Sequence, residues 1–114
     1  MLTIKPIESI QIGKIQVCMI IDRETVFKQS LFEGIEKYPE KLALLPNGQA
    51  FGVVRSFLVR TADRCALIDT GYGTAAGGQT VQILQKAGVK PEDISDVLLT
   101  HLDGDHIGGM VEAG

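Results

Sequence analysis

A chain of 114 residues that is 45% apolar and 22% charged has the length and composition of one globular domain. Its 11 Lys and Arg are scattered and outnumbered by 14 Asp and Glu, for a net charge of -3, so it lacks the basic face that nucleic-acid binding needs. The longest apolar run, Val17-Cys18-Met19-Ile20-Ile21, falls far short of the roughly 20 residues that cross a bilayer, and residues 1–10 lack the zones of a signal peptide, so no membrane partner is expected and the cytoplasm is the default location.

In chain order, Ile4, Pro6 and Ile10 lie in a weakly alternating stretch, and residues 12–21 are rich in β-branched residues, as a strand pair or one long strand. Phe27, Leu31, Phe32 and Ile35 are spaced as on a helix over residues 24–37, with Gly34 against it. Pro39, Pro46 and Asn47-Gly48 mark a loop with a turn. Residues 51–60 and 65–68 read as strands joined at Asp63-Arg64, and Asp69-Thr70-Gly71-Tyr72-Gly73 ends the second of them. Past Gly77-Gly78, Thr80 is placed to cap a helix over residues 81–87, with Val81, Leu84 and Ala87 on one side and Gly88 as its stop. Pro91-Glu92-Asp93-Ile94 reads as a tight turn, and residues 96–100 as a short buried strand. Cys18 and Cys65, in apolar runs with 46 residues between them and no C-x-x-C pair, read as free thiols. From Phe51 the order is strand, strand, helix, strand and polar loop, which suits an α/β layered domain with ligands at a strand's carboxyl end.

Both histidines of the chain fall in one hexapeptide, His101 to His106, with Asp103 and Asp105 between them. In an extended segment residues two apart share a side, so His101, Asp103 and Asp105 converge; His106 follows as the backbone bends into a helix near Asp105. Gly104 relaxes the bend, and Gly108-Gly109 admits neighbouring backbone. Imidazole with carboxylate suits zinc, iron or manganese. A D-G-D loop flanked by histidine is also a common solvated turn; the apolar strand leading into it and the Gly-Gly behind it favour a site. A calcium loop counted from Asp103 fails, because its fifth and twelfth positions are Ile107 and Gly114.

Thr100-His101-Leu102-Asp103-Gly104-Asp105-His106-Ile107-Gly108-Gly109 resembles the T-H-x-H-x-D-H-x-G-G signature of the metallo-β-lactamase superfamily. Phe57-Leu58-Val59 and Leu67-Ile68-Asp69-Thr70-Gly71 look like that family's paired strands ending in a D-T-G turn, and residues 84–99 are also similar. The resemblance covers residues 51–109; the first fifty residues resemble, more loosely, its lactonase-like branch. It implies that His101 ligates a first metal, that Asp105 and His106 ligate a second, and that Asp105 also serves catalysis. Asp69 is implied to be an outer carboxylate that orients ligands; as a simple strand-end turn cap it would do without metal. Tyr72 either lines the pocket or is an exposed loop residue. Asp103 stands where the family has a second histidine. As a ligand it makes the site harder and more anionic, shifting preference toward iron or manganese; if it does not ligate, one metal position is weakened.

The implied fold is the N-terminal half of a four-layer αββα sandwich, with residues 1–114 as one partial domain and the chain expected to be truncated. The family's further histidine, bridging aspartate and last histidine come from the other half, so the isolated chain is expected to be inactive. The implied activity is hydrolysis of a small-molecule ester, lactone or thioester by a metal-activated water, with one or two zinc ions, iron or manganese being alternatives. A non-catalytic binding module with a degenerate metal site is the rival, and a carboxylate-rich di-iron redox centre a third reading. A half sandwich leaves an apolar sheet face uncovered, which a homodimer would cover.

Overall fold

The computed structural model describes residues 6–111. Five strands form one mixed sheet in the order β1 (Ile7–Ile12), β2 (Ile15–Lys28), β3 (Gln49–Arg60), β4 (Cys65–Ile68) and β5 (Asp96–Leu98). Of residues 12–21, read as a strand pair or one long strand, 15–21 fall in the single long strand β2, whose partner β1 comes from residues 7–12; Ile12 pairs with Ile15 across a turn at Gly13, whose φ of 58° suits a residue without a Cβ. β3 and β4 pair antiparallel from Phe57↔Ile68 to Arg60↔Cys65, and the turn closes through Thr61 N–H to the Arg64 carbonyl at 2.9 Å. β4 and β5 are parallel, Ala66↔Asp96 to Ile68↔Leu98, joined through helix α2 (Thr80–Lys86). The shorter helices are α1 (Pro39–Leu42) and α3 (Gly104–Ile107). Among the described residues no helix is long and apolar enough to cross a membrane.

The chain divides into two compact units, residues 24–53 and the remainder. In the larger unit, alternate residues of each strand share a face. Cys18 and Ile20 of β2, Leu58 of β3 and Leu67 of β4 meet Ile83 and Leu84 of α2 and the following Val89 in one apolar cluster. Burying each large aliphatic chain of this kind contributes about 1.5–3 kcal/mol. α2 ends as its Gly88 foretells: φ is 82°, Gly88 N–H reaches the Gln85 carbonyl and Val89 N–H the Leu84 carbonyl, which satisfies two end carbonyls and turns Val89 into the core. Cys18 and Cys65 are both free.

The smaller unit differs from the helix expected over residues 24–37. β2 continues to Lys28, and single 3-10 turns follow at Gln29–Leu31 and Ile35–Lys37. Thr25, Val26 and Phe27 favour extended backbone, and Gly34, at φ 78°, breaks what helical spacing remains. Phe27 is half of a cross-strand contact, its ring lying 2.9 Å from where a Cβ on Gly52 would stand. The stretch read as a loop at Pro39 and Pro46 holds α1 and a 3-10 turn at Pro46–Gly48. Two further expectations change in the larger unit. β5 is shorter than expected, and in this chain, where it is the last strand of the sheet, Val97 and Leu98 are 43% and 55% exposed. Thr80 is the first residue of α2 and not its cap. Ile4 lies outside the described residues.

Candidate metal centre

The parallel pair β4 and β5 ends side by side, and the Asp69 N–H donates to the Leu98 carbonyl at 2.8 Å, one step beyond the last strand pair. The D-T-G turn after β4 and the T-H loop after β5 therefore leave the sheet together, at the carboxyl ends where ligand sites form. Asp69 adopts a left-handed conformation, φ 60°, which aspartate tolerates better than most residues. That turns its buried carboxylate toward the neighbouring loop. Oδ1 accepts the Thr100 N–H at 2.9 Å; Oδ2 accepts the Thr100 hydroxyl at 2.8 Å and lies 2.8 Å from His106 Nδ1.

Main chain then fixes the donor loop to the D-T-G turn. Thr70 N–H and hydroxyl both donate to the His106 carbonyl, at 2.8 and 2.9 Å. Gly108 N–H donates to the Gly71 carbonyl at 2.9 Å, and Gly109 N–H to the Thr70 hydroxyl at 3.0 Å. A Cβ on Gly108 would run into the Tyr72 carbonyl, and one on Gly109 into the Thr70 carbonyl. The Gly-Gly pair is thus required by backbone approach, as the sequence suggests. α3 is a single turn; His106 N–H closes it on the Asp103 carbonyl at 2.9 Å, with no side-chain cap from Asp103.

Of the four expected ligands, His101, Asp105 and His106 come together: one donor atom of each lies within 4.8 Å of the others. Asp103 is 78% exposed and stands outside this trio, its Oδ2 3.3 Å from His101 Nε2. His106 Nε2 is 3.2 Å from Asp105 Oδ2, and the two imidazole rings are 4.0 Å apart. Two ligands of a tetrahedral ion, each about 2.0–2.1 Å from it, stand about 3.4 Å apart. Both His–Asp separations match that edge, so the donor set fits a divalent ion. The same spacing serves a protonated ring beside a carboxylate.

Electrostatics favour these protonation states. Burial pushes the Asp69 carboxyl up, but the Thr100 N–H, the His106 ring and the Thr100 hydroxyl outweigh it and hold the group below the usual carboxylate range. Burial alone would lower His106; its bond to Asp69 and the charges of Asp105, Asp69 and Asp103 outweigh it and raise its pKa. A charged Asp69 only accepts, so His106 Nδ1 carries the hydrogen and Nε2 keeps its lone pair when the ring is neutral.

A second buried carboxylate, not foreseen from the sequence, anchors the same turn. Asp22 continues the inward face of Cys18 and Ile20 and is fully buried. Its Oδ2 accepts the Tyr72 N–H at 2.9 Å; its Oδ1 accepts Gln79 N–H, Thr80 N–H and the Thr80 hydroxyl at 3.0, 2.9 and 2.6 Å. It caps α2 in place of Thr80, whose hydroxyl also meets Ser56 at 3.1 Å. A Cβ on Gly71 would overlap the Asp22 carboxyl. The signal available in sequence was a charged residue in register with an apolar strand face. Tyr72 is half-buried, with the Arg23 guanidinium 4.9 Å above its ring. A depression of about 340 Å³ lined by Arg60, Arg64, Cys65, Val89 and Ser95 lies at the opposite end of β4 and takes in none of the candidate metal-site residues.

The model of the metallo-beta-lactamase superfamily matches residues 50–112. The chain belongs to that superfamily. Curated relatives include Competence protein ComA of Neisseria gonorrhoeae, 42% identical over 79 residues, which are 69% of this chain and 11% of ComA. Among solved structures of the superfamily fold, the dizinc quorum-quenching lactonase AidC, in complex with a product N-hexnoyl-L-homoserine, superposes with a TM-score of 0.79 at 26% identity, over 94% of this chain and 40% of AidC. The hydrolase AbOPH gives 0.80 at 22% identity, over 99% and 42%. A probable metal-dependent hydrolase from Staphylococcus aureus gives 0.70 at 22%, over 90% and 43%. The chain thus spans well under half the length of these proteins, and its mixed five-stranded sheet is in keeping with the N-terminal half of the superfamily's layered sandwich.

Proposed function

We propose that the protein is a metal-dependent hydrolase acting on a small-molecule ester, lactone or thioester. The observation that carries this reading is the convergence of His101, Asp105 and His106 donors within 4.8 Å, with Asp69 bonded to the far nitrogen of His106. His101 with Asp103 would hold one ion, and Asp105 with His106 a second. A bound metal supplies Lewis-acid chemistry: it makes water a nucleophile near neutral pH and polarises a carbonyl oxygen. This chain's own part is to present Nε2 lone pairs, to keep the loop rigid through Gly108 and Gly109, and to hold Asp69 ionised. The dizinc character of AidC supports zinc, and its product supports a lactone over a β-lactam. The likeness to ComA spans 11% of that protein and supports the motif and fold, not a role in competence. We reserve turnover for the whole protein, because the family draws further His and Asp ligands from segments beyond the one described.

Metal content of the zinc-loaded full-length protein, measured by plasma mass spectrometry beside a panel of ester, lactone and thioester substrates, tests the reading. His106→Ala is expected to lose at least one ion per chain together with hydrolysis. Unchanged stoichiometry in that variant would overturn the ligand assignment; full metal without hydrolysis of any substrate in the panel would favour the binding-module reading.

A further inference from the structure

The hydrogen bonds around Asp69 extend past His106 to the second ring of the cluster. Thr100 has one hydroxyl hydrogen, and it is directed at Asp69 Oδ2, 2.8 Å away, an atom that only accepts. The same hydroxyl oxygen lies 2.9 Å from His101 Nδ1. With its hydrogen committed to Asp69, Thr100 can only accept from that ring. With Thr100 as the acceptor, His101 carries a hydrogen on Nδ1, and in the neutral ring its lone pair then sits on Nε2, facing the Asp103 carboxylate at 3.3 Å as two acceptors that a cation would bridge. One carboxylate oxygen thus stands behind both histidines, directly at His106 and through one hydroxyl at His101.

We propose that Thr100 is a positioning residue that fixes the tautomer of His101, by relaying the Asp69 carboxylate's hydrogen-bond demand through its hydroxyl. The proposal rests on the reading of His101 as a ligand for the metal's significance, but the tautomer itself is a property of the metal-free protein. Its consequence is that both imidazoles are pre-set with Nε2 bare before an ion arrives, whereas an unconstrained histidine side chain prefers its hydrogen on Nε2. Without the relay His101 would have to exchange tautomer on each metal-binding event.

The test is long-range ¹H–¹⁵N correlation of the imidazole nitrogens in the metal-free full-length protein, at a pH where the rings are neutral, alongside zinc affinity by chelator competition. Wild type is expected to show His101 as the Nδ1–H form. Thr100→Val should shift His101 toward Nε2–H, leave His106 as Nδ1–H because its bond to Asp69 bypasses Thr100, and weaken zinc binding about tenfold or more. Thr100→Ser should restore both readings. An Nε2–H His101 in wild type overturns the relay and needs no variant, so the test stands even if Thr100→Val fails to fold; so does a His101 tautomer unmoved by Thr100→Val. A correct tautomer in a protein that takes no metal would leave the relay intact and overturn the hydrolase reading instead.

Discussion

Asp22 and Asp69 are two buried carboxylates on either side of the same five-residue turn, and they do different work. Asp22 gathers main-chain N–H groups and the Thr80 hydroxyl, groups whose charge never changes near neutral pH. Asp69 gathers Thr100 and the ring of His106, a group that titrates and can hand a lone pair to a metal. Burial and residue type are alike in the two. What separates a framework carboxylate from one that tunes a site is whether its partners can change charge or ligate. A rank order of consequences follows.

Removing Asp22 has the largest effect on folding. Asp22→Ala leaves the buried Thr80 N–H and the part-buried Tyr72 N–H without their acceptor, while Gln79 N–H keeps the Asp22 main-chain carbonyl, and the expected loss is about 3 kcal/mol in denaturant unfolding. Asp22→Asn should recover most of it, since one amide oxygen can keep the place of Oδ1. Equal losses for the two variants would show that charge, and not acceptor geometry, holds the turn. Asp69→Asn should be milder for folding and sharper for function: zinc affinity is expected to fall about 10–100-fold while the fold persists. A variant of Asp69 as destabilising as Asp22→Ala would erase the distinction between the two.

The smallest expected effect is that of pH on the metal-free protein. Asp69 lies below its ordinary value of 3.8, so its stabilising contribution is present above that value and is lost as pH falls through the lower folded pKa. His106 lies above its ordinary 6.5, so its contribution is present below 6.5 and is lost as pH rises through the higher folded pKa. The thermal midpoint is therefore expected to decline on both sides of a plateau between the two ordinary values, and Asp69→Asn should flatten both shoulders. Shoulders unchanged in Asp69→Asn would place their origin elsewhere in the chain.

The site was legible in sequence where its parts are contiguous. His101, Asp105, His106 and the Gly-Gly pair lie within nine residues, and local geometry suffices to bring them together. Asp69, 31 residues before Thr100, was reached through the resemblance of its turn. Asp22 was not, because its meaning lies in donors 50 to 58 residues away. Strand order could be read from β3 onward, where alternation and turn residues agree. Over residues 24–37 the apolar spacing of Phe27, Leu31 and Ile35 mimics a helix, but the β-branched and aromatic run 25–27 goes with the strand.

The crossing of the two glycine-bearing loops has a consequence for how such a centre changes over time. Beside the Asp69 side-chain bonds, its hold on the donor loop runs through the His106 carbonyl and the N–H groups of Gly108 and Gly109, main-chain atoms that a substitution at a donor position leaves in place. The main chain is a socket for the donor side chains it carries. An aspartate can therefore occupy position 103, where the superfamily pattern carries histidine, without disturbing the seating of His101 or His106. A change of donor at that position would alter the chemistry of the site and leave this main-chain hold intact.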